Sequence, residues 1–355
     1  MSVLMTADNL GGVWTHALDL VRGLAPLGAE VSLAVMGDPL TEEQRAELER
    51  TPLRSWHALD CRLEWMPEPW DDVDRSGEWL RDVAAEVRPD LVHVNGYAHA
   101  APGWRAPVVL GAHSCVVSWW RAVKGHVPGD LAEYSRRVTE GLHAADAVVA
   151  PTRWMLESLT ESYGWSGRGA VVPNGRGGTF TPRPKEPLVV TIGRVWDDAK
   201  NVAALDAVAG DVPCELVVVG SGVHPASGAQ TAAHHAGRMP PHEIAELLGR
   251  AAIFAEPARY EPFGLAALEA GLAGCALVLG DIPSLREVWG DAAVFVAPDD
   301  HAALRDALAR LASDPAECTS WGDRARERAT GYTLDRMAAG YDALYRSVAR
   351  EPVAP

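Results

Sequence analysis

The sequence predicts an α/β protein built from two doubly wound domains, and three observations carry that reading. Short apolar runs alternate with helical stretches along the whole chain, the pattern of parallel strands covered on both faces by helices. At 355 residues the chain exceeds the roughly 250 to 300 at which a single core stops growing. Between the two alternating halves, residues 173–187 (PNGRGGTFTPRPKEP) hold four prolines and three glycines and mark a domain boundary.

In the first half, Val3 to Ala7 reads as a strand, Asp8 to Gly12 as a turn and Val13 to Leu27 as an amphipathic helix. A strand at Val31 to Val35 and a helix at 41–51 follow, then a Trp-rich irregular region through Trp70 and a helix at about 74–87. Pro89-Asp90 introduces the strand Leu91 to Val94, and Pro107 to Gly111 is the next, ending at Ala112-His113-Ser114-Cys115. A helix at 130–144, the strand Ala147 to Ala150, a helix from Thr152 to Ser162 and the strand Ala170 to Val172 complete this half. The second half repeats the alternation. It has strands at 188–192, 215–219, 251–255, 276–279 and 293–296, a short apolar stretch near 231–235, and helices from 201, at 241–249, from Gly264, near 283–289 and on to about 349. Ligands of doubly wound sheets gather at the carboxyl ends of the strands, so an interdomain cleft bounded by those ends is expected.

Composition narrows the function. A formal net charge of −16 argues against nucleic acid or an anionic membrane as partner, because both require a basic surface. No apolar run approaches the roughly 18 residues that span a bilayer, and the N-terminus lacks the charged-then-apolar layout of a signal peptide, so a cytoplasmic protein is expected. The five cysteines, at 61, 115, 214, 275 and 318, form no C-x-x-C pair and suggest neither a zinc site nor a disulfide framework. An anionic substrate would need local cations, and the only lysines are Lys124, Lys185 and Lys200.

The most informative stretch is Glu261-Pro262-Phe263-Gly264-Leu265-Ala266-Ala267-Leu268-Glu269, preceded by an apolar run ending in Glu256-Pro257. It reads as strand, loop and helix, with one carboxylate before the helix and one inside it. Amides at a helix start favour an anion while carboxylates accept from hydroxyls, a combination that suits a sugar joined to a diphosphate. Taken alone, the spacing equally describes a loop glutamate and a solvated helix face. Gly193-Arg194 ends one strand and Lys200-Asn201 opens the next helix, which gives either a two-cation diphosphate clamp or surface ion pairing with Asp197 or Asp198. Gly220-Ser221-Gly222 ends the following strand and permits close backbone approach.

In the first half, Gly11-Gly12 opens a helix without the G-x-G-x-x-G spacing of a dinucleotide site, which leaves an anion-approach loop or a plain turn. His16 reads as a helix histidine or a ligand. His113, just past a strand, is either structural or placed to bond a sugar hydroxyl or stabilise positive charge at a reacting carbon. Ser114 and Cys115 lack the partners of a nucleophile. Asp72-Val73-Asp74 formally matches a D-x-D metal motif, but in a loop-to-helix start its acids serve as caps. Asn95-Gly96-Tyr97 and Trp119-Trp120-Arg121 are expected as an acceptor wall after strands, with core packing as the alternative for the tryptophans.

With Gly193-Arg194, Lys200-Asn201, Gly220-Ser221-Gly222, Gly237 and the Glu261 to Glu269 stretch in that order, the chain resembles glycosyltransferase family 4, retaining enzymes of the GT-B fold. Val171-Val172-Pro173-Asn174-Gly175 looks like that family's domain junction, and Gly11-Gly12 with His16 resembles its N-terminal glycine loop. The resemblance implies two Rossmann-like domains: an acceptor-side domain at 1–175, joined by a terminal helix at about 333–349 that packs back on it, and a nucleotide-sugar domain at 176–332. It further implies that Arg194 and Lys200 hold the donor diphosphate, that Glu269 holds the ribose and that Glu261 contacts the donor sugar. Gly193, Gly220 and the amides of Phe263, Gly264 and Leu265 would lie near sugar and phosphate, the backbone at Arg238 and Met239 would meet the base, and His113 would lie beside the transferred sugar. No metal and no cofactor beyond the nucleotide-sugar donor are implied. Asp281-Ile282-Pro283-Ser284 departs from the family's glycine pair, and the first half lacks the basic, apolar patch of lipid-modifying members, which favours a soluble small-molecule or saccharide acceptor.

The expectation is therefore a retaining glycosyltransferase that takes a UDP-, GDP-, ADP- or dTDP-sugar. Two rivals remain at this point: a sugar-nucleotide epimerase or phosphorylase on the same scaffold, and a non-catalytic nucleotide-sugar-binding protein.

Overall fold

The strands at Ser2–Asp8, Leu91–Val94, Val108–Gly111 and Ala147–Ala150 are buried at every interior position, which is why their residues run largely apolar without alternation. A computed structural model of the protein describes residues 1–101, 103–177, 180–222 and 231–349. It divides into two units: Met1–Arg121, His126–Gly175 and the segment from Leu334 form the first, Ala122–Gly125 and Arg176–Thr333 the second. Of the junction read from the sequence, Gly178 and Thr179 lie outside the described residues.

In chain order the first unit holds β1 (Ser2–Asp8), α1 (Gly12–Leu24), β2 (Glu30–Gly37), α2 (Glu42–Arg50), β3 (Ser55–Asp60), α3 (Trp70–Val87), β4 (Leu91–Val94) and β5 (Val108–Gly111). α4 (Val116–Lys124), α5 (Ala132–Ala144), β6 (Ala147–Ala150), α6 (Arg153–Tyr163) and β7 (Gly169–Val171) follow. The strands form one parallel sheet in the order β3-β2-β1-β4-β5-β6-β7. Leu4, Leu110 and Val148 point into one core, while Val3, Met5, Val109 and Val149 point into the other, as the period of two requires. Each fully buried aliphatic side chain contributes about 1.5–3 kcal/mol relative to exposure.

The second unit holds β8 (Glu186–Ile192), α7 (Val202–Val208), β9 (Glu215–Val219), β10 (His234–Gly237), α8 (Pro241–Arg250), β11 (Ala251–Glu256) and α9 (Leu265–Leu272). β12 (Ala276–Gly280), α10 (Pro283–Trp289), β13 (Val294–Val296), α11 (His301–Ser313) and α12 (Pro315–Ala329) complete it. Its parallel sheet has the order β10-β9-β8-β11-β12-β13. The last helix, α13 (Leu334–Ala349), belongs to the first unit, where Met337, Tyr341, Tyr345 and Val348 join the core of α1 and β1.

The structure corrects the sequence reading in three places. Residues 55–60, read as irregular, form the edge strand β3, where Ser55, His57 and Asp60 break up Trp56, Ala58 and Leu59 so that no apolar run appears. The first helix stops at Leu24 and continues as a 3₁₀ turn, Ala25–Leu27, where Pro26 withholds a helical N–H donor. Trp119, Trp120 and Arg121, expected only as an acceptor wall after a strand, lie within a helix, α4, that the sequence reading did not place, with the two indoles edge to face at 5.4 Å.

Candidate active site

In the second unit the carboxyl ends of β8, β9 and β10 are laced together by backbone bonds. Gly193 N–H donates to Val219 O at 3.0 Å, Gly220 N–H to Gly237 O at 2.9 Å and Val195 N–H to Ser221 O at 3.2 Å. Gly220 has φ +153, and a Cβ there would lie 1.7 Å from Gly193 O, so only glycine allows the two strand ends this approach. Arg194 and Lys200 leave this edge in different ways. Arg194 is half-exposed, pairs with Asp197 at 2.8 Å and lies 5.4 Å from the Trp196 ring. Lys200 instead turns inward, where its Nζ meets Glu256 Oε1 at 2.6 Å and Glu261 Oε2 at 2.5 Å. The two cations therefore do not face one anion; each is held by carboxylates, and Arg194 makes the Asp197 pair that was the alternative reading.

Asn201 fixes the loop that carries Lys200. Its Nδ2 donates to Pro257 O at 2.9 Å and to Pro298 O at 2.7 Å, tying the start of α7 to the loops after β11 and β13. Burial opposes the charge on Lys200, but the two carboxylates outweigh it and raise the ammonium above its ordinary range. Burial pushes Glu256 up. It works against Glu261 as well, yet Lys200 and the Phe263 and Gly264 amides outweigh it and hold that carboxyl low. Glu261 Oε1 accepts from Phe263 N–H at 3.2 Å and Gly264 N–H at 2.8 Å, so these amides at the start of α9 are engaged by the protein's own anion. Ser284 Oγ donates to Glu261 O at 2.6 Å, which brings α10 to the same loop.

One face of α9 carries Glu269, whose carboxylate pairs with Arg176 at 2.8 Å; both side chains are largely buried. Arg176 also lies over the Phe180 ring at 5.3 Å. Phe263 is buried edge-on against Tyr332, Leu265 is partly buried, Met239 packs on the core and Arg238 is exposed just after β10. Sequence reasoning gave no role to Glu256 or Arg176. A single carboxylate closing an apolar run was the available signal for Glu256, whereas Arg176 was hidden in a junction that read as linker.

In the first unit, His113 follows β5 and Asn95 follows β4, both at carboxyl ends of the sheet. His113 Nε2 is 2.7 Å from Asn95 Oδ1, and the His16 ring centroid is 4.5 Å from that of His113. Behind them Tyr345 Oη meets His93 Nδ1 at 2.7 Å and Tyr341 Oη meets His16 Nε2 at 3.3 Å, so α13 backs the cluster. Burial lowers His16 to about 3 and His93 to about 3, and burial with His16 beside it holds His113 well below its usual range. The cluster is neutral at physiological pH. Gly11 and Gly12 open α1 and are exposed. Asp8, raised to about 7 by burial and by Glu64, closes β1, and Glu64 accepts from Tyr97 N–H at 3.1 Å and Ala98 N–H at 2.9 Å.

Asp72 is spent on Arg75 at 2.6 Å and on Arg62 N–H at 2.9 Å, and Asp74 pairs with Arg137. Among the described residues no group of three or more His, Cys, Asp or Glu is arranged to hold a metal ion, and no helix is long and apolar enough to cross a membrane.

Two parallel-sheet Rossmann-like units with polar residues gathered at their strand ends define a GT-B-type glycosyltransferase. Sucrose-phosphate synthase from Thermosynechococcus elongatus shares this fold, with a TM-score of 0.77 at 20% identity over 98% of each chain. So does Anabaena Alr3699/HepE, solved in complex with UDP-glucose, with a TM-score of 0.75 at 15% identity over 98% of this chain and 100% of that one. In sequence, the glycogen synthase of Mycobacterium tuberculosis is 26% identical, covering 90% of this chain and 87% of its own. Residues 10–176 match the model of Glycosyltransferase Family 4 and residues 180–328 that of Glycosyl transferases group 1. The chain belongs to glycosyltransferase family 4.

Proposed function

We propose that the protein moves a hexose from a nucleotide-diphosphate sugar to a soluble acceptor in the cytoplasm, with retention at the anomeric carbon and without a metal ion. The observation that carries the donor half is Lys200, a largely buried cation held between Glu256 and Glu261 at the entry to α9. An arriving diphosphate would draw on that charge, on Arg194 and on the Phe263 and Gly264 amides, all of which are balanced by the protein's own carboxylates until then. Glu261 would be released toward the sugar hydroxyls and Glu269 toward the ribose. HepE, of the same fold, binds UDP-glucose, which supports a nucleotide-sugar donor. As the glycosidic bond lengthens, negative charge grows on the diphosphate, and the cations stabilise it where it develops. The acceptor hydroxyl would then attack from the face the leaving group occupies and pass its proton to the departing diphosphate, and His113 would lie beside the transferred sugar.

The test is a panel of UDP-, GDP-, ADP- and dTDP-sugars, scored first by thermal shift and then by turnover with and without EDTA. One or two donors are expected to raise the melting temperature, since a ligand at 100 times its Kd adds about 2.7 kcal/mol to the folded state. Lys200→Ala should abolish that shift, and EDTA should leave turnover unchanged. A panel in which no donor binds, or a Lys200→Ala variant that binds as the wild type does, ends the proposal.

A further inference from the structure

Asn95 is locked at both ends. Its backbone N–H donates to Thr6 Oγ1 at 2.8 Å and its side-chain Nδ2 donates to Thr6 O at 2.6 Å. A carbonyl oxygen only accepts, so the amide nitrogen must face Thr6, and Oδ1 must face His113 Nε2, 2.7 Å away. An amide oxygen has no proton to give. The hydrogen on that contact therefore belongs to the imidazole.

The surroundings admit no second proton. The titratable groups facing His113 are His16 from α1 and His93 from β4, with Tyr341 and Tyr345 of α13 behind them, and none of these is an anion at neutral pH. The packing is also filled from below: a Cβ at Gly111 would lie 2.4 Å from Asn95 Oδ1 and 3.0 Å from both His113 Nε2 and His93 Nε2. The ring and the amide have little room to exchange partners.

We propose that Asn95 is a positioning residue that fixes His113 as the neutral Nε2–H tautomer and so presents Nδ1 as a hydrogen-bond acceptor to a hydroxyl of the sugar or the acceptor. This rests on the reading of His113 as the residue beside the transferred sugar. A lone pair at Nδ1 suits that place, because it can accept from a hydroxyl and leaves no positive charge beside a carbon that gains positive charge as the donor bond breaks.

The experiment uses full-length protein labelled with ¹⁵N-histidine, the His113 ring signals being those that vanish in His113→Gln. In the wild type, Nε2 is expected at a protonated-nitrogen shift and Nδ1 at an unprotonated one, both unchanged from pH 8 to pH 6. Asn95→Ala should mix the tautomers and lower kcat/KM on the order of tenfold to a hundredfold, the scale at which partners that orient a working histidine act. Asn95→Asp keeps the shape but sets a carboxylate on the ring, which raises its pKa. Protonation then occupies Nδ1, so kcat/KM of this variant should fall as the pH drops through the new pKa while the wild type stays flat. A wild-type Nδ1–H tautomer, or a tautomer that survives Asn95→Ala, overturns the proposal. A tautomer that shifts with no change in kcat/KM upholds the hold of Asn95 on the ring and overturns the reading of His113 as a substrate contact.

Discussion

Lys200 can keep its charge in a largely buried place because Glu256 and Glu261 meet it there, and removing it would leave two carboxylates facing each other. Breaking a buried ion pair from one side costs about 3–5 kcal/mol, so Lys200→Ala should lower the urea midpoint by a corresponding amount. Adding Glu256→Gln to that variant should recover part of the loss, because it removes one of the two stranded charges, while donor binding stays absent. Equal midpoints for wild type and Lys200→Ala would show that the triad is not buried as described. Scarcity made Lys200 legible in the sequence: three lysines in an acidic chain leave few candidates for an anion site. Its true partners were not legible, since the contact with Glu256 joins residues 56 apart and no local pattern encodes it. Arg194 shows the complementary limit. The sequence offered both a diphosphate clamp and an Asp197 pair for this residue, and the structure displays the pair.

At the level of elements, legibility followed burial. β1, β4, β5, β6, β9 and β12 are buried on both faces and largely apolar, and their runs were readable to within a residue or two. β3 was not, because an edge strand is wet on one side, and α4 was not, because its tryptophans looked like an exposed wall. The glycines at strand ends were readable as places of close approach without any indication of what approached. At Gly220 the neighbour is the Gly193 carbonyl, 1.7 Å from where a Cβ would stand. Gly220→Ala therefore cannot be relieved by a rotamer change; one strand end must move, and the left-handed φ adds strain. We expect a loss of about 3 kcal/mol or more, with donor binding weakened together with stability because Arg194 leaves from the same edge. Differential scanning calorimetry checks this, and a melting temperature within a degree of the wild type would mean that the strand ends are not laced as described.

Across the whole molecule, the two units differ in how they carry protons. Among its described residues the first holds three buried histidines and the partly buried His113 with pKa values below the ordinary value of 6.5: His16 and His93 at about 3, His99 at about 4, and His113 well below. Burial is the leading cause in each. A group held low in the fold binds its proton only on unfolding, so each one makes stability rise with pH between its folded value and 6.5 and fall as acid is added. Asp8, raised to about 7, and Glu64, also raised, act in the opposite sense, since they bind protons in the fold that the unfolded chain releases. Four groups against two leave a net uptake of protons on unfolding, so the first unit loses stability as the pH falls below about 6. In the second unit the raised Glu256 and the lowered Glu261 work against each other, and Lys200 titrates far above this window. The first unit should therefore be the acid-labile one. Hydrogen exchange read by peptide at pH 7 and pH 5 is expected to show protection falling in β1, β4 and α13 while β8, β11 and β12 keep theirs. Substituting His93 with Gln should flatten the pH dependence of the first unit by about one proton, and equal losses in both units would mean that the histidines are not held neutral.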